Sequence, residues 1–315
     1  MISGVAAIWS FAAYSQRHIP RVGVLLNGRA ASSSDLPISD QLKRLGYTDG
    51  RNIAYEIRAA EDDLTRLPLL ARELVAMRPD VIVGSTTQAA VALFDATHDI
   101  PIVMTVVGDP IALGLSSSMS RPTGNITGFT LSSASLAAKR LEILHSVVPA
   151  LSKVAYFWVP QNPVSTYLEL QVRQAANALG IKLVSIPLNS DDDIPGAFAR
   201  ADEEQATAVL VETDPLTLRV NASIVDQCLV RGLPAMHAWP IDVRNGALMS
   251  YGPAEPENFA SAAIYIDRIL KGAKVAELPF EEPTEIKLVI NLRTARAIGL
   301  AFPPTLLARA DEVIE

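Results

Sequence analysis

The chain has 315 residues, enough for two domains of ordinary size rather than one small core. Its hydrophobic share is 49% and its charged share 19%, a balance that excludes a disordered chain, which lacks apolar residues and is rich in charge. A net charge of −7 and the lack of any Lys/Arg run argue against a nucleic-acid binder, which needs a basic surface to displace counterions from phosphate.

The chain opens on an apolar stretch, Ile2 to Ala13, too short to cross a bilayer as a helix. With the small residues Ala12, Ala13 and Ser15 at its end it has the character of a secretory signal core, and residues 1–20 are read as a signal-like N-terminal segment. Nothing charged precedes Arg17, so the signal segment is apparently incomplete, and no cysteine adjoins it to carry a lipid. The expectation is an exported, periplasmic protein. No later run reaches transmembrane length.

Short, β-branched runs follow at Arg21 to Leu26, Pro79 to Gly84 and Ile100 to Val107, as expected of parallel strands buried on both faces. Helical patterns lie between them. Asp40 to Leu45 ends at Gly46, and Asp62 to Met77 spaces Leu64, Leu67, Leu70, Leu74 and Met77 along one face. A third helix is expected over Gln88 to Ala96. The same order then returns with an offset of about one domain length. Lys153 to Trp158, Ala206 to Val211 and Leu233 to His237 echo the three strand signals, and Thr166 to Leu179 runs into Gly180 as the first helix runs into Gly46. The pattern predicts an α/β fold with two doubly wound parallel-sheet lobes, and a crevice at the carboxyl ends of the strands where ligands bind.

The loops after those strands hold the candidate ligand-binding residues. Asn27 follows the first strand. Ser85, Thr86 and Thr87 follow the second, where hydroxyls and free helix N–H groups suit a carboxylate, or serve only to cap the next helix. Asp109 follows the third, facing an ammonium or hydroxyl, or else forming a turn before Pro110. From the second half come Asn162, Asp214, Trp239 and Tyr251. Aromatic residues make up only 6% of the chain, yet Trp158, Trp239 and Tyr251 all fall at strand ends, where a ring stacks on a planar ligand or plugs the open end of a lobe.

Markers of catalysis are missing. There is no GxGxxG, no GxxxxGK[ST] and no GxSxG, and no motif ties a nucleophile to His237 and Asp242. The expectation is no enzyme, no catalytic residue and no cofactor. No metal is expected either, because the histidines are scattered and the Asp191-Asp192-Asp193 run reads as a helix start favoured by the helix dipole. Cys228, alone in the chain, sits in an apolar run and reads as a small buried hydrophobe.

Several stretches resemble the substrate-binding protein family of ABC transporters that includes the tryptophan- and tyrosine-type uptake proteins, with the type I periplasmic binding fold. They include Leu45 to Asn52, Arg66 to Pro68, Gly108 to Leu115, Arg121 to Gly128, Ala138 to Leu144, Leu248 to Gly252, Arg268 to Lys274, Leu288 to Leu292 and Ala308 to Glu315. The resemblance implies two lobes crossed three times by the chain, a three-segment hinge near Gly128 to Thr130, Tyr251-Gly252 and Glu281 to Glu285. Lobe 1 would comprise residues 21–128 plus 253–282, and lobe 2 residues 129–252 plus 283–315. It further implies a small organic ligand, an amino acid or aromatic carboxylate, whose polar head lies on Ser85, Thr86 and Thr87 with Asn162, Asp214 and Tyr251 opposite. The partner implied is a membrane permease, with the binding protein itself a monomer. Family members usually begin with a basic, twin-arginine-like start, which this sequence lacks. A ligand-sensing regulatory domain and a two-domain α/β enzyme are the competing readings, the first lacking room for a DNA-binding module ahead of Arg21.

Overall fold

The computed structural model describes residues 18–29, 32–148, 150–254 and 258–315; the signal-like stretch Ile2 to Ala13 lies outside the described residues. The first half alternates strand and helix as the apolar runs dictate: β1 (Arg21–Leu26), α1 (Pro37–Arg44), β2 (Ala54–Ala59), α2 (Leu67–Ala76), β3 (Val81–Gly84), α3 (Thr87–Ala96), β4 (Ile102–Val107) and β5 (Ile126–Thr130). All five strands are parallel, in the order β2-β1-β3-β4-β5. Val22, Val24, Ile82, Val83, Ile102 and Val103 are buried in both faces' cores, which is why these strands read as continuous apolar runs.

The second half runs α4 (Ser133–Val147), β6 (Lys153–Trp158), α5 (Ser165–Ala178), β7 (Lys182–Pro187), α6 (Ile194–Glu203), β8 (Ala208–Val211), α7 (Pro215–Arg219), α8 (Asn221–Arg231), β9 (Ala235–His237), α9 (Pro240–Arg244) and β10 (Met249–Pro253). It is completed by α10 (Asn258–Leu270), β11 (Ile286–Asn291), α11 (Leu292–Ala297), α12 (Pro304–Leu307) and β12 (Glu312–Ile314). The sheet order β7-β6-β8-β9-β10 repeats that of the first sheet, and β11, antiparallel to β10, and β12 extend it to seven strands. The pseudo-repeat expected from the spacing of apolar runs is therefore a repeat of topology. Six of the twelve strands, β2, β5, β7, β10, β11 and β12, had no counterpart in that repeated pattern; of these, β2 (AYEIRA) and β7 (KLVSIP) are edge strands with polar residues, half-buried over most of β2, so neither shows a continuous apolar run.

The chain passes from one sheet to the other between β5 and α4, between β10 and α10, and between Glu281 and β11. The helix α10 returns to the first lobe, where Ala262, Tyr265 and Ile266 pack with Val22, Val24 and Val81. On the other side, Leu141, Leu144 and Val147 of α4 share a core with Val154, Leu210 and Ile290. At the crossings the strands are tied together. Thr130 donates its N–H to Glu281 O at 2.9 Å, Glu281 donates to Gly128 O at 2.9 Å, and Ser132 Oγ donates to Glu282 Oε1 at 2.9 Å. Gly128 has φ of +134°, and a Cβ there would stand 2.1 Å from Met104 O, so only glycine fits. Buried Arg140 of α4 donates Nε to Tyr251 O at 2.6 Å, linking the first crossing to the second. Among the described residues no helix is long and apolar enough to cross a membrane.

Candidate functional site

The carboxyl ends of the parallel strands of both sheets face a common cleft, and a hydrogen-bonded chain of polar side chains runs across it. Asn27, at the end of β1, is buried and accepts Thr86 Oγ1–H at 2.7 Å on Oδ1. Thr86 is the N-cap of α3, with extended backbone, and its hydroxyl also accepts the Ala89 N–H at 3.2 Å. The cap and the cleft contact are thus made by one hydroxyl. Asn27 Nδ2 donates to Gln88 Oε1 at 3.3 Å, and Gln88 Nε2 donates to Asp214 Oδ2 at 3.2 Å, which carries the chain of bonds into the second lobe. Asn162 Nδ2 donates to the same oxygen at 2.9 Å.

Asp214 is held as firmly by its own element. It caps α7, accepting the Leu216 N–H on Oδ1 at 2.7 Å, while its backbone N–H donates to Thr217 Oγ1 at 3.2 Å. Burial pushes its carboxyl above the usual range, opposed by bonds from Leu216, Asn162 and Gln88. Two residues earlier, Glu212 is buried at the end of β8 and accepts Val159 N–H at 2.7 Å and Ser165 Oγ–H at 2.5 Å. Desolvation raises its carboxyl to about 8. Glu212 therefore pins the loop after β6 and the start of α5, and so positions Asn162 beside Asp214.

Between the lobes lies a recess of about 220 Å³. Its first-lobe wall is Asn27, Asp62, Asp63, Leu64, Thr65 and Gln88, and its second-lobe wall is Val159, Gln161, Asn189, Asp214, Pro215, Leu216 and Arg219. At its rim Arg219 Nη2 pairs with Asp191 Oδ1 at 2.7 Å, and Nη1 stands 3.7 Å from Asp62 Oδ1 across the cleft. The hydrogen bond from Arg219 holds Asp191 below the ordinary carboxylate range. The same run forms a turn of 3₁₀ helix over Asp191–Asp193 leading into α6, as a helix start should. Among the described residues no group of three or more His, Cys, Asp or Glu side chains is placed to hold a metal ion.

Of the residues singled out from the sequence, Asn27 and Asp214 line this recess, and Thr86 and Asn162 bond directly to them. The others stand elsewhere in the fold. Thr87 is buried and accepts the Gly108 N–H at 3.1 Å, while Ser85 is half-buried and accepts Thr105 Oγ1–H on its carbonyl at 3.2 Å. Asp109 accepts the Ile111 and Ala112 N–H groups at 2.9 and 3.0 Å, the bonding of a turn-forming Asp. Trp239 heads α9 and Tyr251 packs against the second lobe's core; neither lines the recess. Sequence reasoning passed over Gln88, read as the first residue of a predicted helix, and Asp62, Asp63 and Thr65, read as the start of another and in fact following the unrecognised strand β2. Cys228 is buried in α8, and burial raises its thiol to about 12.

Comparison with known proteins places this architecture. The family model for ABC transporter substrate binding proteins matches residues 21–314. A tyrosine-binding protein of Clostridioides difficile (strain R20291) is 25% identical over 260 residues, 82% of this chain and 74% of that protein. Among solved structures, a conserved domain protein from Vibrio cholerae superposes with a TM-score of 0.84 at 26% identity, over 94% of this chain and 99% of that one. An ABC domain from Streptococcus pneumonia in complex with L-Trp gives 0.83 at 25% identity with the same coverage.

Proposed function

Because the chain belongs to the family of ABC transporter substrate binding proteins, we propose that its interlobe recess captures an amino acid, an aromatic one first among them, for delivery to a membrane permease. The observation that carries this reading is the recess itself, walled by both lobes and crossed by the Asn27–Gln88–Asp214 chain of bonds. A buried carboxylate has about four lone-pair positions, and three of those on Asp214 are filled, by Leu216, Asn162 and Gln88. The remaining position suits a ligand ammonium. The start of α3, with N–H groups that the helix itself leaves unpaired, suits the ligand carboxylate beside Gln88, the residue of that turn that lines the recess.

The volume supports a ligand of amino-acid size, and the two relatives named for tyrosine and L-Trp support an aromatic side chain. We assign residues 21–128 and 253–282 to lobe 1 and 129–252 and 283–315 to lobe 2, in keeping with where the chain changes sheets. In this reading the protein acts outside the cytoplasmic membrane as a monomer and performs no chemistry on its ligand. A thermal-shift screen over the amino acids and aromatic carboxylates tests it. One compound should raise the melting temperature with increasing concentration and be recovered unchanged. Turnover of that compound, or no shift with any of them, contradicts the proposal.

A further inference from the structure

The second lobe contains two small cavities, each of about 10 Å³, room for one water molecule and nothing larger. They differ in their lining. The one beside α8 presents a single unbonded side-chain atom, His237 Nε2, among Val225, Leu229, Leu248 and other apolar side chains. The hydroxyl of Thr294 there is already donated to Gly246 O at 2.8 Å. The other cavity is polar: Arg140, Tyr156, Glu212 and Thr213 meet in it, the first three being 3%, 1% and 3% exposed.

Neither Tyr156 Oη nor Thr213 Oγ1 has a hydrogen-bond partner among the described residues, although both atoms are buried. An unpaired buried hydroxyl is costly, and two at one cavity call for a shared partner. Burial pushes the Tyr156 phenol well above its ordinary value, so it keeps its proton and can both donate and accept. Arg140 spends its Nε–H on Tyr251 O at 2.6 Å, which leaves its Nη donors for the cavity. Gly252 packs over that guanidinium so closely that a Cβ there would stand 3.3 Å from Nη2. Glu212 accepts from Val159 and Ser165 and still has lone pairs to spare.

We propose that the polar cavity is a binding site for one ordered water, which bridges Arg140, Tyr156 and Thr213 inside the second lobe. A buried water needs about two to four polar partners, which this cavity supplies and the one at His237 does not. Thr213 stands between Glu212 and Asp214, so the water braces from behind the loop that carries the ligand-facing carboxylate. The bridge lies within one lobe and depends neither on a ligand nor on how the lobes are placed.

A high-resolution crystal structure of the full chain tests the site, together with thermal melts of two near-isosteric variants. Wild type should show one density peak within about 2.6–3.2 Å of Tyr156 Oη, Thr213 Oγ1 and an Arg140 Nη atom. Tyr156→Phe and Thr213→Val each remove one partner of the water and should lower the melting temperature by roughly 1–4 °C. The sign is diagnostic, because deleting an unpaired buried hydroxyl would leave the melting temperature level or raise it. A wild-type cavity without that density overturns the proposal, and so does a level or raised melting temperature in either variant. The wild-type density decides the question even if a variant does not fold.

Discussion

The first lobe brings neutral amides and hydroxyls to the buried part of the cleft, Asn27, Thr86 and Gln88, whereas the second brings carboxylates, Glu212 and Asp214, 3% and 5% exposed. Two walls of one recess are thus built on different physical terms. A neutral amide costs little to expose when the lobes part and re-forms its bonds when they meet. A buried carboxylate must be satisfied at all times, and here it is satisfied by its own lobe: Asp214 by Leu216 and Asn162, Glu212 by Val159 and Ser165. The second lobe is therefore preorganised, and the first lobe adapts to it. Preorganisation lowers the cost of ordering the site when ligand arrives.

Removing the charged wall should have the largest effect. Asp214→Ala deletes a partner of both Asn162 and Gln88, and should weaken ligand binding by about 2–5 kcal/mol in a calorimetric titration. A change no greater than that of a neutral-wall variant would erase the contrast between the lobes. Gly108→Ala should come next, costing about 1–3 kcal/mol of affinity because the new methyl overpacks the contact with Val164. Its fold should be intact by circular dichroism.

The buried acid behind the wall makes a pH signature. Glu212 titrates near 8 in the folded protein and near 4.5 when unfolded, so the native state favours its neutral form. Its contribution to stability is fully present below about 4.5 and is lost as pH rises through about 8. The wild-type melting temperature should therefore fall, relative to Glu212→Gln, as pH is raised across that window. Parallel profiles for the two proteins would show that Glu212 is not held neutral. The smallest effect belongs to Asp109→Ala, which loses two bonds to the turn at Ile111 and Ala112. It should cost about 1 kcal/mol of stability by thermal melting and leave affinity as it was. A loss of affinity would bring Asp109 into the site after all.

Much of this fold was legible because its central strands are buried on both faces. Val22 to Leu25, Val81 to Gly84, Val154 to Phe157 and Ala208 to Val211 are apolar without interruption, and their spacing carried the repeat of sheet order. The edge strand β2 was not legible, because Tyr55, Glu56, Ile57 and Arg58 are each only half-buried and show no clean alternation. The site divided along the same line. Asn27 and Asp214 stand at the carboxyl ends of apolar strands, where loops were expected to bind. Gln88 and Asp62 depend on how far a side chain reaches across the cleft and on a strand that polar residues disguise, which are matters of tertiary geometry. The aromatic residues at strand ends, Trp239 and Tyr251, lie outside the recess.

Titration of L-tryptophan and L-tyrosine into wild type and Asp214→Asn by isothermal calorimetry tests the central claim most directly. The account predicts saturable one-to-one heat with wild type for at least one of the two, and affinity weaker by at least about thirtyfold in the variant, whose amide no longer offers a charge to the ligand ammonium. Equal affinity in both proteins, or no saturable heat from either amino acid with wild type, would contradict it.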